Sequence, residues 1–208
     1  MASHIIESTR PTLIIDAGHG GLDGGTVSPW GEPESDINLK IALHLRDLCA
    51  LYGVAHVMTR DSADIEYPPS AGTISAKKAF DTKSRLELIG SVPDGLLLSI
   101  HQNHYSDPSP RGAQALYGAG EESKAFGELL QGNFLSLWQG NKRTASRIPD
   151  TIYLMREADC TAVLVECGFL SNPEEAQLLS TDTYRLKISA VLLGSYLQFT
   201  ADGSSYEE

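Results

Sequence analysis

The sequence predicts one α/β domain, built on a twisted, mostly parallel sheet of about six strands with helices on both faces. Three observations carry this expectation. Short apolar runs alternate with stretches of helical period almost throughout the chain. The apolar runs end in turn or polar residues, as buried strands do on entering a loop. No linker, internal repeat or break in composition divides the 208 residues.

In chain order, Thr12-Leu-Ile-Ile-Asp16 is the first strand, and it runs into the glycine-rich Gly18-His-Gly-Gly21. From Glu34 to Tyr52, Ile37, Ile41, Leu45 and Leu48 recur at helical spacing, and Gly53 stops the helix. Val54 to Thr59 is the second strand, and the acidic, proline-bearing segment from Asp61 to Gly72 is a loop. Ser75 to Ile89 is a helix with Ala79, Leu86 and Ile89 as core contacts. Leu96-Leu-Leu-Ser-Ile-His101 is the third strand and Ala113 to Tyr117 the fourth. Ser123 to Trp138 is a helix, and Gly140 to Ile148, carrying Lys142, Arg143 and Arg147, is an exposed basic loop. Thr151 to Met155 and Ala162 to Glu166 complete the strands, and Tyr184 to Phe199 closes the domain as an amphipathic helix.

Composition narrows the function. Twenty-seven acidic against 16 basic residues give a net charge of −11, with 41% hydrophobic and 21% charged residues. That is a globular chain, and an acidic one is poorly suited to nucleic acid or anionic membrane, which require clustered Lys and Arg. No apolar run approaches the ~18 residues of a transmembrane helix. Cys49, Cys160 and Cys167 form neither an even set nor a Cys-x-x-Cys pair, and read as free buried thiols.

The chemistry gathers where strands end. Ligands of open α/β sheets collect beyond the carboxyl ends of the strands, and three strands here finish in metal-suited residues: His19, His101 and Glu166. Two histidines and a carboxylate make a catalytic zinc set with a position left open. Spacing leaves the third ligand open among Glu32, Glu34 and Asp36 in Gly31-Glu-Pro-Glu-Ser-Asp36. Glu166 suits a non-ligand general base, since an acid ending an apolar strand is costly unless used or paired. Each residue alone has an ordinary reading, as a turn histidine or a carboxylate capping amides; the shared position of the three points to a site. His44 and His56 fall within a helix and a strand. His104, three residues after His101, reads as a substrate contact ahead of a ligand. Phosphate-loop and serine-hydrolase patterns are missing.

Five segments in register, Ile15-Asp-Ala-Gly-His-Gly-Gly21, Glu34-Ser-Asp36, Thr59-Arg60, Ser99-Ile-His-Gln-Asn103 and Val165-Glu-Cys-Gly-Phe-Leu-Ser-Asn-Pro173, resemble the zinc-dependent N-acetylmuramoyl-L-alanine amidases of bacterial cell walls. The resemblance runs from about Pro11 to Phe199, making 11–199 the catalytic domain, 1–10 a leader or cloning remnant and 200–208 a polar tail. It implies His19, Glu34 and His101 as zinc ligands and Glu166 as the catalytic residue, and it demotes Glu32 and Asp36. Within that family the chain resembles the germination-specific amidases, which trim spore-cortex peptidoglycan, through Thr73-Ile-Ser-Ala-Lys-Lys78 with Arg85, Ser99-Ile-His-Gln-Asn103 and Ile152-Tyr-Leu-Met155. Ala17 replaces a usual proline, Ser35 a common lysine beside Glu34, and Thr161-Ala162 a frequent proline. The stretch between His101 and Tyr117 is too short for the inhibitory helix that some relatives insert.

The resemblance implies hydrolysis of the amide joining N-acetylmuramic acid to the L-alanine of the stem peptide, with Zn²⁺ as cofactor and peptidoglycan as substrate. Arg85, Asn103, His104 and Arg147 are candidate substrate contacts, a surface salt bridge being the competing role for either arginine. An activating lipoprotein is a candidate partner. The setting implied is extracytoplasmic: secreted, in the wall, or between the forespore membranes, with the export signal removed from this chain. The alternatives are a zinc metallopeptidase or deacetylase acting on wall material, and a silent wall-binding module, against which the presence of Glu166 counts.

Overall fold

In a computed structural model, the described residues are 10–138 and 140–202; residues 1–9, most of the expected leader, and 203–208, most of the expected tail, lie outside them. The strands are β1 (Thr12–Ala17), β2 (His56–Met58), β3 (Gly95–Asn103), β4 (Gln114–Tyr117), β5 (Ser146–Arg147) and β6 (Thr161–Phe169). The helices are α1 (Glu34–Leu51), α2 (Ile74–Gly90), α3 (Glu121–Leu137), α4 (Tyr153–Glu157), α5 (Pro173–Leu179) and α6 (Asp182–Asp202). One six-stranded sheet has the order β2-β1-β3-β6-β4-β5, with every pair parallel except β4 against β6.

The two faces are covered unequally, and the inequality makes room for a site. On β1, Leu13, Ile15 and Ala17 face one way, into a core completed by Ile37 and Leu45 of α1, Phe126 and Phe134 of α3, and Ile188 and Tyr196 of α6. Ile14, Leu97, Ala162 and Leu164 face the other way, against a smaller cluster of Ile148, Ile89 of α2 and Met155 of α4, edged by half-buried residues such as Leu88 and Leu154. Period-2 alternation then puts Asp16, Ser99, His101 and Glu166 on the thinly covered face. Apart from the site, this face is completed by a buried ion pair, Arg85 Nη1 to Asp16 Oδ1 at 2.6 Å, braced by Asp81 at 3.0 Å.

Connection geometry locates the opening further. From β1 the chain passes through α1 to β2 and returns through α2 to β3 on the other side of β1. The chain therefore leaves β1 and β3 in opposite directions, the arrangement that opens a crevice at the carboxyl ends of the strands.

Three expectations need correction. Thr151 to Met155 is not a strand: Tyr153–Glu157 is a short helix, because the place beside β4 is taken by Ser146–Arg147 from the supposed basic loop. Its β-branched and aromatic residues follow packing instead of propensity, with Met155 buried and Ile152 and Tyr153 exposed. Ala79 is exposed, and the residue α2 buries alongside Ile89 is Arg85. Of the three thiols, Cys49 and Cys167 are buried and Cys160 is half-buried; all are free. Helix α5 has no counterpart among the predicted elements, although Asn172 caps it with bonds from the amides of Glu174 and Glu175.

Candidate metal centre

The β1–α1 loop is shaped by what must pass close to it. His19 has φ +59°, a left-handed conformation that a non-glycine residue adopts at a cost. A Cβ at Gly18 would lie 2.2 Å from His101 Nε2, and one at Gly25 would lie 2.5 Å from Glu34 Oε2. These glycines are therefore the space that the His101 ring and the Glu34 carboxylate occupy.

Within that space three side chains converge. His19 Nε2 lies 3.3 Å and His101 Nδ1 3.1 Å from the same oxygen, Glu34 Oε1. The ligand atoms of His19, Glu34 and His101 all lie within 4.8 Å of one another, and among the described residues they form the group of metal-binding side chains so arranged. A tetrahedral set with bonds of about 2.1 Å has ligand atoms about 3.4 Å apart, so the donor chemistry and the spacing fit a zinc ion. Glu34 is buried, and its remaining bonds are all from the protein: Asn38 Nδ2 and the Gln102 amide to Oε1, and the Thr26 amide at 3.0 Å to Oε2. Burial pushes its pKa upward, but His101 and His19 outweigh that and hold it well below the usual carboxylate range. His19 is oriented from behind, its Nδ1 3.1 Å from Asp23, which Lys78 grips at 2.9 Å. A carboxylate behind a ligating imidazole fixes its ring and raises its basicity.

Glu166 pairs in register with His101 on one side and with Gln114 on the other. Its Oε2 is buried with no hydrogen-bond partner among the described residues. Burial raises its pKa from the ordinary 4.5 to about 7; His101 opposes the shift and Glu34 adds to it. An unsatisfied buried carboxyl oxygen beside two histidines is expensive for a structural role and apt for proton transfer.

This shift has a stability consequence. In the metal-free protein Glu166 stays protonated in the fold up to about 7 but ionises near 4.5 when unfolded. Its contribution is therefore intact below pH 4.5 and is lost as pH rises through about 7. Thermal melts in chelator should show Glu166→Gln above wild type at pH 8, with the difference vanishing below pH 4.5. A constant difference across that range would contradict the shift.

The structure places the other candidates as follows. Arg85 lines the cleft but is buried, its donors spent on Asp16, Asp81 and the carbonyls of Ala17 and His19. It is an internal brace instead of an exposed substrate contact or surface ion pair. Asn103 accepts the His104 amide at 2.8 Å and stands at the end of β3, while His104 is exposed and outside the convergent group. Arg147 is exposed on β5, 3.3 Å from Asp150. Glu32 is gripped by Lys40 at 2.7 Å. His44 meets Asp182 at 2.9 Å, and His56 its neighbour Val54. Asp23, Asn38 and Gln102 escape sequence reasoning, although Asn38 stands four residues after Glu34 on one helix face. A cleft of about 250 Å³ runs from His19 and His101 past Thr82 to the segment Thr151–Met155.

Residues 13–194 match the model of the N-acetylmuramoyl-L-alanine amidase family. The chain is 35% identical over 198 residues to a germination-specific N-acetylmuramoyl-L-alanine amidase of Bacillus subtilis, covering 94% of this chain and 82% of that protein. To the amidase AmiC of Escherichia coli it is 26% identical over 94% of its own length, spanning 54% of that longer protein. Among solved structures it resembles the CwlD amidase of Clostridioides difficile, in complex with the GerS lipoprotein, with a TM-score of 0.87, 32% identity, and coverage of 92% of this chain and 99% of that one.

Proposed function

The chain belongs to the N-acetylmuramoyl-L-alanine amidase family, and on that premise we propose that it hydrolyses the amide between N-acetylmuramic acid and the L-alanine of peptidoglycan stem peptides, with His19, Glu34 and His101 holding zinc. The convergence of two imidazoles on Glu34 Oε1, with the unpartnered Glu166 oxygen in the same row of the sheet, carries this reading.

A bound zinc ion supplies Lewis-acid activation of water and of the scissile carbonyl. The protein's part is proton transfer and orientation. Glu166 takes a proton from the attacking water at its free Oε2 and returns it to the departing L-alanine nitrogen. The bond to the lactyl carbonyl breaks, leaving a carboxylate on the sugar and a free amine on the peptide. Asp23 and Lys78 hold the His19 ring, and Asn38 and the Gln102 amide hold Glu34. The open cleft toward Ile152 and Tyr153 gives the substrate an apolar wall.

Similarity to the germination-specific relative supports spore-cortex peptidoglycan as substrate, and the lipoprotein complex of the CwlD structure supports a lipoprotein partner for this chain. The reaction would then take place outside the cytoplasm. None of the described helices is long and apolar enough to cross a membrane. With a net charge of −11 and a carboxylate-rich substrate, attraction has to be local. Of the basic stretch, Arg143 is stacked on Phe169, which leaves Lys142 and Arg147 facing solvent.

Mass spectrometry of products from a defined muropeptide tests the reaction. The expected products are the intact stem peptide with a free N-terminal L-alanine and peptide-free glycan. Acetate would make the protein a deacetylase, shortened peptides a peptidase, and no product in the zinc-loaded protein a silent module.

A further inference from the structure

Thr59-Arg60 is the segment of the sequence pattern that the chemistry above leaves without a role. Arg60 lies just past β2, at the edge of the sheet, yet its side chain reaches inward and is 8% exposed. Its four hydrogen bonds all go to backbone carbonyls: Nε to Ala17 at 2.9 Å, Nη2 to Gly18 at 3.1 Å and to Ser35 at 2.8 Å, and Nη1 to Ser62 at 3.0 Å. Ala17 and Gly18 lead directly into His19, and Ser35 directly follows Glu34. One guanidinium thus ties together the two backbone segments that carry two of the three converging side chains, and the third, His101, packs against Gly18. The contact is tight enough to constrain the sequence, since a Cβ at Gly20 would lie 2.8 Å from Arg60 Nε.

We propose that Arg60 is the positioning residue of the metal site, setting the separation of His19 and Glu34 by holding the carbonyls of residues 17, 18 and 35 at once. The inference rests on the reading of those side chains as metal ligands. Arginine suits this role because its planar fork serves several fixed acceptors together, where a lysine ammonium is a flexible point charge. Burial without a bonded carboxylate is the cost, and it lowers the Arg60 pKa to about 10. Thr59 complements it by donating to Asp16 Oδ1 at 2.8 Å, the oxygen that also receives Arg85. Arg85 grips the same loop at Ala17 and His19, but through a buried ion pair whose loss would leave Asp16 uncompensated. Arg60 offers the cleaner test.

Zinc affinity of the folded protein, read by competition with a chromophoric chelator, provides it. Arg60→Lys keeps the charge and loses the fork, and is expected to bind zinc about 10- to 100-fold more weakly. Its cobalt-loaded form should show an altered visible spectrum. Arg185→Lys removes a comparably buried guanidinium, bonded to the Leu179 carbonyl at 3.1 Å, and is expected to keep wild-type affinity. Should Arg60→Lys fail to fold, Arg60→Ala is expected to regain fold and zinc binding with dilute guanidinium and not with methylammonium. Unchanged affinity in Arg60→Lys, an equal loss in Arg185→Lys, equal rescue by methylammonium, or no rescue by guanidinium would overturn the proposal. A wild-type protein that takes up no zinc would instead overturn the metal reading beneath it.

Discussion

Glu166→Gln should reduce turnover of a defined muropeptide at least ~100-fold, within the ~100- to 10,000-fold that a positioned acid–base group contributes, while zinc content stays at wild type. The glutamine side chain keeps the shape of the glutamate and its carbonyl oxygen but cannot accept and return a proton at neutral pH. The structure gives specific reasons to expect so large an effect. Glu166 stands beside His101 in the sheet register but is not one of the three groups that converge, so removing its charge need not disturb them. Its Oε2 has no protein partner among the described residues, so no internal hydrogen bond competes with an incoming water. Departure of an amine is the demanding half of amide hydrolysis, because the nitrogen must be protonated before the bond breaks. Parallel measurements of kcat and zinc stoichiometry separate this role from metal binding. Wild-type kcat in Glu166→Gln with zinc bound would place the base elsewhere and sink the assignment. The same substitution is expected to raise melting temperature in chelator above pH 7, where the buried carboxyl is ionised at a cost. A gain in stability paired with a loss in activity marks a residue kept for function.

Much of the fold is legible because buried parallel strands write a continuous apolar signature, as Leu13 to Ile15 and Leu96 to Leu98 do. The site histidines and Glu166 are legible for a related reason: polar groups closing apolar strands stand out, and strand ends share one edge of the sheet. What fails is local. Thr151 to Met155 has strand residues but no vacant neighbour to pair with, a fact that only the tertiary arrangement holds. Helix α5 carries a readable signal in Asn172-Pro173-Glu174-Glu175, a cap, a proline at the first position and acids in the first turn, but the signal is hidden inside the longer motif that ends at Pro173. Spacing cannot choose Glu34 over Glu32 or Asp36, since all three precede or open the same helix. In space the choice is plain, because Glu32 turns toward Lys40 and only Glu34 meets the imidazoles. Arg60 and Arg85 are beyond sequence reasoning as internal braces, because an arginine is buried only when tertiary acceptors meet its whole fork.

Glu34→Ala should abolish detectable turnover and stoichiometric zinc together, which distinguishes it from Glu166→Gln. The carboxylate is the hub of the site: both imidazoles address its Oε1, and backbone amides of Thr26 and Gln102 fix its two oxygens. Removing it takes away the one anion among the three converging side chains and leaves His19 and His101 without the group toward which each is turned. Two imidazoles, one from the β1–α1 loop and one from β3, make a far weaker site for a dication than the same pair with a buried carboxylate between them. Thermal melting gives an independent readout. A ligand that binds only the native state stabilises it by about 4 kcal/mol at ~1,000 times its dissociation constant, so zinc should raise the wild-type melting temperature by several degrees and leave that of Glu34→Ala unmoved. Glu32→Ala is the control, expected to lose its bond to Lys40 and retain the zinc response in full. If Glu34→Ala still responded to zinc as wild type does, the three converging side chains would be a hydrogen-bonded cluster and not a metal site. A lost response in Glu32→Ala would instead move the third ligand back along the loop, against the geometry in which Glu32 turns to the helix surface and Glu34 to the two histidines.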